Sequence, residues 1–149
     1  MKLNLKTDYA LRLLILLATR PNQQFEIETL SRMHQLPASS VMKIISELVR
    51  HGYVHSIRGR SGGVQIGRKP SEICVGDVVQ AMNEPMEIVD CSSCLLVGNC
   101  RLKGVLCEAA QAFTDVLMNY HLSDLIAAPA PVLTPLLDRD DGADPTPLA

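Results

Sequence analysis

Between Tyr9 and Ile66 the chain strings three apolar patterns of helical period ahead of two β-prone runs, and that order leaves few folds open. Leu11, Leu14, Ile15 and Ala18 recur at helical spacing, with Thr7 placed to cap the helix they predict. After the Pro21-Asn22 break, Ile27, Leu30 and Met33 predict a short second helix that stops near Leu36-Pro37. Ser39 or Ser40 is placed to cap a third helix, whose Val41, Ile44, Ile45, Leu48 and Val49 share one side and which Gly52 ends. The runs Tyr53 to Ile57 and Val64 to Ile66 then flank Arg58-Gly59-Arg60-Ser61-Gly62-Gly63, a glycine-rich turn that predicts a hairpin. The expected fold is mainly α: a winged helix-turn-helix head with a β-hairpin wing.

Val75, Val78, Val79 and Met82 predict a fourth helix ending at Asn83-Glu84-Pro85. A longer one follows from about Arg101 to Tyr120. In it Leu102, Leu106, Ala109, Phe113, Val116 and Tyr120 alternate spacings of four and three, the seam of two helices lying along each other. A head this small has little core left to cover that seam, so a homodimer is expected. From Ala127 the chain turns rich in proline and acid, a composition expected to be disordered. The expected organisation is a DNA-binding head at 1–84, a cysteine loop at 85–100, a dimerisation helix at 101–126 and a tail at 127–149.

At 149 residues the chain is long enough to bury an ordinary core without disulfides. Its N-terminal apolar run is broken by Arg12 and lacks a small-residue cleavage site, which favours a buried helix over a secretory signal. No apolar stretch reaches the roughly 18 to 20 residues that cross a bilayer, so a cytoplasmic protein without a membrane partner is expected. The net charge of -2 conceals a polarity. Residues 1–70 hold 11 Lys and Arg against 4 Asp and Glu, and residues 71–149 hold 3 against 12. A head of +7 joined to a segment of -9 suggests a polyanion-binding end and a second module with another task.

For a head of this kind the expected partner is a double-stranded DNA operator. Ser39, Ser40 and Lys43 lie in the first turns of the third helix, the part that reaches base edges and phosphates in a major groove. Arg58 and Arg60, with Ser61 beside them and glycines around them, suit a narrow minor groove whose potential attracts guanidinium groups. The plainer reading makes the helices a protein–protein module and the arginines a solvated hairpin tip.

The pattern Cys91-x2-Cys94-x5-Cys100-x6-Cys107 places four of five cysteines in one stretch. Chance burial, a zinc site, a thiol switch through Cys91 and Cys94, and an iron–sulfur cluster are all open to it. If the long helix starts near Cys100, Cys107 rises about 10.5 Å further along. Two thiolates on one zinc stand at most about 4.6 Å apart, so Cys107 cannot share a metal with Cys100. Three thiolates and an open position remain. Cys74 is expected to act as a small hydrophobe before the fourth helix. His34, His51, His55 and His121 are scattered and compose no acid–base set, so an enzyme is not expected.

LKTDYALRLLILLA, SSVMKIISELVRHGYVHSIRGRSGGVQIG, and C-x5-CRLKGVL with its AF-containing helix resemble the Rrf-two family of bacterial transcriptional regulators over roughly residues 1–126. Within that family the likeness is to its nitric-oxide-sensing repressors. The resemblance implies a homodimeric repressor with one iron–sulfur cluster per protomer, [4Fe–4S] or [2Fe–2S], held by Cys91, Cys94, Cys100 and Asp8. The family takes that carboxylate from the partner chain, and nitrosylation would release it. Family members usually have a wider gap than Cys91-x2-Cys94. A zinc-stabilised or thiol-switch regulator, or an iron–sulfur regulator of cluster supply, is the alternative.

Overall fold

The computed structural model describes residues 3–59, 62–82, 94 and 100–126. In chain order they form α1 (Leu5–Thr19), α2 (Ile27–His34), α3 (Ala38–Arg50), β1 (Val54–Ile57), β2 (Gly63–Ile66), a 3-10 turn (Pro70–Glu72), α4 (Val75–Met82), α5 (Arg101–Met118) and α6 (Leu122–Ile126). The winged helix-turn-helix expected from the sequence is present, with a long C-terminal helix after it.

The other elements are laid around α1. Ala10, Leu13, Leu14, Leu16, Leu17 and Ala18 are buried, and Leu11 and Ile15 sit half-buried at the margin. The helix thus buries most of its circumference rather than one stripe, because α3, α4, α6 and β2 all pack on it. Its cap also differs from expectation. Asn4, in extended backbone, accepts from the Thr7 N–H at 2.7 Å, while Thr7 itself is buried inside the first turn.

Both helix ends around the turn are closed by backbone geometry. Gln35 stands in the left-handed region at φ 52° and lets the Leu36 N–H reach the Ser31 carbonyl at 3.0 Å. The Pro37 carbonyl then accepts from Ser40 and Val41 at 2.9 and 3.1 Å, so Pro37 opens α3 and neither serine caps it. Along α3, Val41, Ile44, Ile45 and Leu48 are buried, whereas Val49, expected on the same side, is exposed. Gly52, at φ +72°, ends the helix with the Gly52 N–H on Val49 and the Tyr53 N–H on Leu48, both at 2.9 Å.

Strands β1 and β2 pair antiparallel, Val54 opposite Ile66 and Ile57 opposite Gly63. Outside that ladder, Phe25 forms an isolated antiparallel bridge to β2 by exchanging two 2.9 Å hydrogen bonds with Val64. That approach requires glycine at 63, where a Cβ would lie 2.7 Å from the Phe25 carbonyl oxygen. After β2, Arg68 turns back and donates to the His51 and Gly52 carbonyls at 2.8 and 3.1 Å, with its guanidinium 5.1 Å from the Tyr53 ring centroid. The wing's second strand is thereby tied to the C-terminus of α3.

α4 packs on α1 and on α5. α6, which the sequence reading did not separate from the long helix, is held by the Leu122 N–H on Ile73 at 2.8 Å and by Asp124, which accepts from His121 N–H at 2.8 Å. Leu122 enters the core there. α5 itself has no buried side chain.

Candidate nucleic-acid interface and cysteine segment

Residues 39, 42, 43, 46 and 50 recur at helical spacing on the outer side of α3, and all five side chains are exposed. Because Pro37 closes the first turn, the Ser39 hydroxyl is left free for the surface, and Ser40 is half-buried beside it. Lys43 projects from the second turn without an acidic neighbour at the three- or four-residue spacing within the helix, apart from Glu47. Glu47 is drawn aside, since it accepts from Arg50 and faces Lys6 of α1 at 3.9 Å. The outer face therefore keeps cationic and hydroxyl character. Arg58 is exposed at the end of β1; Arg60 and Ser61 lie outside the described residues. Met42 and Ser46 were not expected on this face, although they lie three and seven positions on from Ser39 at helical spacing.

Asp8 and Arg12 pair as their spacing predicts. The Arg12 guanidinium reaches both Asp8 carboxylate oxygens, at 2.8 and 3.0 Å, and lies 5.5 Å from the Tyr9 ring centroid. Close by, burial first and the charge of Arg12 second hold the His34 imidazole below its ordinary pKa of 6.5. Burial pushes the Tyr53 phenol above 10.0, Asp77 adds to that, and Arg68 opposes it.

The cysteines do not assemble as the resemblance implied. Cys100 is the N-cap of α5, half-buried, and Cys107 is exposed two turns along the same helix. Cys94 is an exposed free thiol. Cys91 lies outside the described residues. Cys74 is half-buried at the α4–α5 junction, its thiol 3.5 Å from the Met118 carbonyl oxygen and 3.7 Å from Met118 Sδ. Among the described residues, no three His, Cys, Asp or Glu side chains come together where a metal could be held. Asp8, committed to Arg12, joins no such group either. The expected [4Fe–4S] or [2Fe–2S] cluster is thus corrected: among the described residues Cys94, Cys100 and Asp8 do not come together, and the Asp8 carboxylate is paired with Arg12.

No helix among the described residues is long and apolar enough to cross a membrane. The fold is shared with solved structures. A putative transcriptional regulator from Listeria innocua is 24% identical with a TM-score of 0.72, covering 98% of this chain and 96% of its own. The oxidized form of Staphylococcus aureus CymR is 25% identical with a TM-score of 0.68, over 86% of this chain and 98% of its own. IscR of T. potens is 21% identical with a TM-score of 0.68, over 85% of this chain and 87% of its own. The family model Rrf2, described as an iron-dependent transcriptional regulator, matches residues 3–128. A match over all but the two ends, on a winged-helix head with an exposed α3, places this chain in the Rrf2 family of DNA-binding transcriptional regulators.

Proposed function

We propose that this protein is a homodimeric cytoplasmic repressor that holds operator DNA through α3 and the wing, and whose grip is set by a thiol switch in the cysteine segment. The observation that carries the DNA reading is the outer face of α3. Ser39 and Lys43 stand free on it, Ser46 is exposed beside them, and its single carboxylate, Glu47, is paired with Arg50 and Lys6. Lys43 and Arg58, with Arg60 and Ser61 at the wing tip, would hold phosphates and a groove, and Ser39 and Ser40 would set the register.

The dimer is supported by α5. Leu102, Val105 and Val116 are each more than half exposed, and Tyr120 is 48% exposed. With these apolar residues along it and just past its end, and with nothing on it buried, the helix needs a second copy to remove them from water.

The thiol reading is preferred to nitric-oxide sensing, which depended on the cluster. Cys94 is free and exposed, and a relative of the same fold, S. aureus CymR, exists in an oxidized form. Cys91 and Cys94, with two residues between them, are the pair proposed to close. Their two thiols become one disulfide, and the two protons and two electrons pass to hydrogen peroxide, which leaves as two waters. The test is fluorescence anisotropy on a duplex selected from a random pool, with protein reduced, treated with stoichiometric peroxide, and re-reduced. Oxidation is expected to weaken binding about tenfold and reversibly, and Cys94→Ser to abolish the response. Equal binding in both states would remove the switch and leave the DNA reading standing.

A further inference from the structure

One side chain on the outer face of α3 is not accounted for by phosphate contacts. Met42 is 54% exposed, one turn after Ser39 and next to Lys43. Ser46, one turn further on, donates its hydroxyl to the Met42 carbonyl at 2.8 Å. Spacings of three and four put 39, 42, 43 and 46 on one side of the helix, opposite the buried Val41, Ile44, Ile45 and Leu48.

The neighbours of Met42 decide what it fits. Exposed apolar residues on α5 form a long arc, as expected where a second helix covers them. Met42 instead stands among hydroxyls and an ammonium group, a setting for a polyanion with one apolar feature. A thioether donates no hydrogen bond and accepts only weakly, so it cannot pair with a base edge as Arg, Asn or Gln would. In the major groove the apolar feature on offer is the 5-methyl group of thymine. Serine hydroxyls discriminate little between bases and an ammonium group pairs with guanine O6 and N7, so on this face the side chain suited to a thymine is the methionine. Its unbranched, polarizable chain adapts to a small target.

Resting on the DNA-binding reading above, we propose that Met42 determines specificity by packing on the 5-methyl of one thymine in each half-site. The test replaces each thymine of a duplex selected from a random pool, one at a time, with deoxyuridine, which removes that methyl alone. Affinity is measured by anisotropy at fixed salt for the full-length wild type, Met42→Ala and Met42→Leu. At one position per half-site the wild type is expected to lose about fourfold, the change that one methyl of ~0.8 kcal/mol produces. Met42→Ala should bring the thymine-to-uracil ratio at that position to about one, and Met42→Leu should keep it. Wild-type binding indifferent to uracil everywhere, or a ratio unchanged in Met42→Ala, overturns the inference alone. Failure to bind any duplex overturns the DNA reading and this inference with it.

Discussion

His34 closes α2 with its imidazole half-buried and its Nε2 without a hydrogen-bond partner among the described residues. Burial and the nearby Arg12 both disfavour its charged form, so the folded protein resists protonation below the 6.5 of the unfolded chain. In that window the unfolded state binds more protons, and stability therefore falls as the pH drops through about 6.5 towards the lower folded value. Above 6.5 the effect is absent. Urea midpoints at pH 7.5 and 5.5 check this: the wild type should lose more between them than His34→Gln, and equal losses would show that His34 is not the group responsible. At this scale the Asp8–Arg12 pair follows from spacing alone, because four residues along a helix fixes a neighbour. The metal ligands do not. The separation of Cys107 from Cys100 was legible, because a helix starting near Cys100 fixes it, but cysteine spacing gives distance along the chain and does not show that Cys94, Cys100 and Asp8 stay apart in space.

Among the elements, the junction of α3 with the wing is held at one point. Gly52 takes the left-handed backbone that ends α3, and the Arg68 guanidinium fits against it so closely that a Cβ would meet Nη2 at 3.1 Å. Gly52→Ala should cost ~1–2 kcal/mol in urea denaturation, mainly from the positive φ, and Arg68 would have to give way as well. A change below ~0.3 kcal/mol would contradict that account of the helix end. Gly52 was legible as a stop signal, and so was the hairpin, because glycine and β-prone residues each have one use in such a pattern. The caps were not. Pro37 and Asn4 took the places expected of Ser39 or Ser40 and Thr7, since several polar residues near a helix start compete and backbone direction decides between them. α6 also escaped notice. Its five residues owe their helix to docking on Ile73 and the core, a tertiary cause that local pattern does not carry.

Across the whole molecule, charge and exposed apolar surface fall on different parts of the chain. The +7 of residues 1–70 accompanies α3 and the wing, while the uncovered apolar arc lies on α5. α4 and α6 connect the two, since α4 packs on both α1 and α5 and α6 returns to α1. A dimer built on α5 would present two copies of α3 to one duplex, so its cations count twice. The central claim, that α3 and the wing grip DNA, is tested most directly by the slope of log Kd against log salt concentration for the wild type and the Lys43→Ala/Arg58→Ala double variant. Removing two phosphate contacts from each protomer should make the slope shallower by about three to four and weaken binding most at low salt. Superimposed lines for the two proteins would contradict the claim.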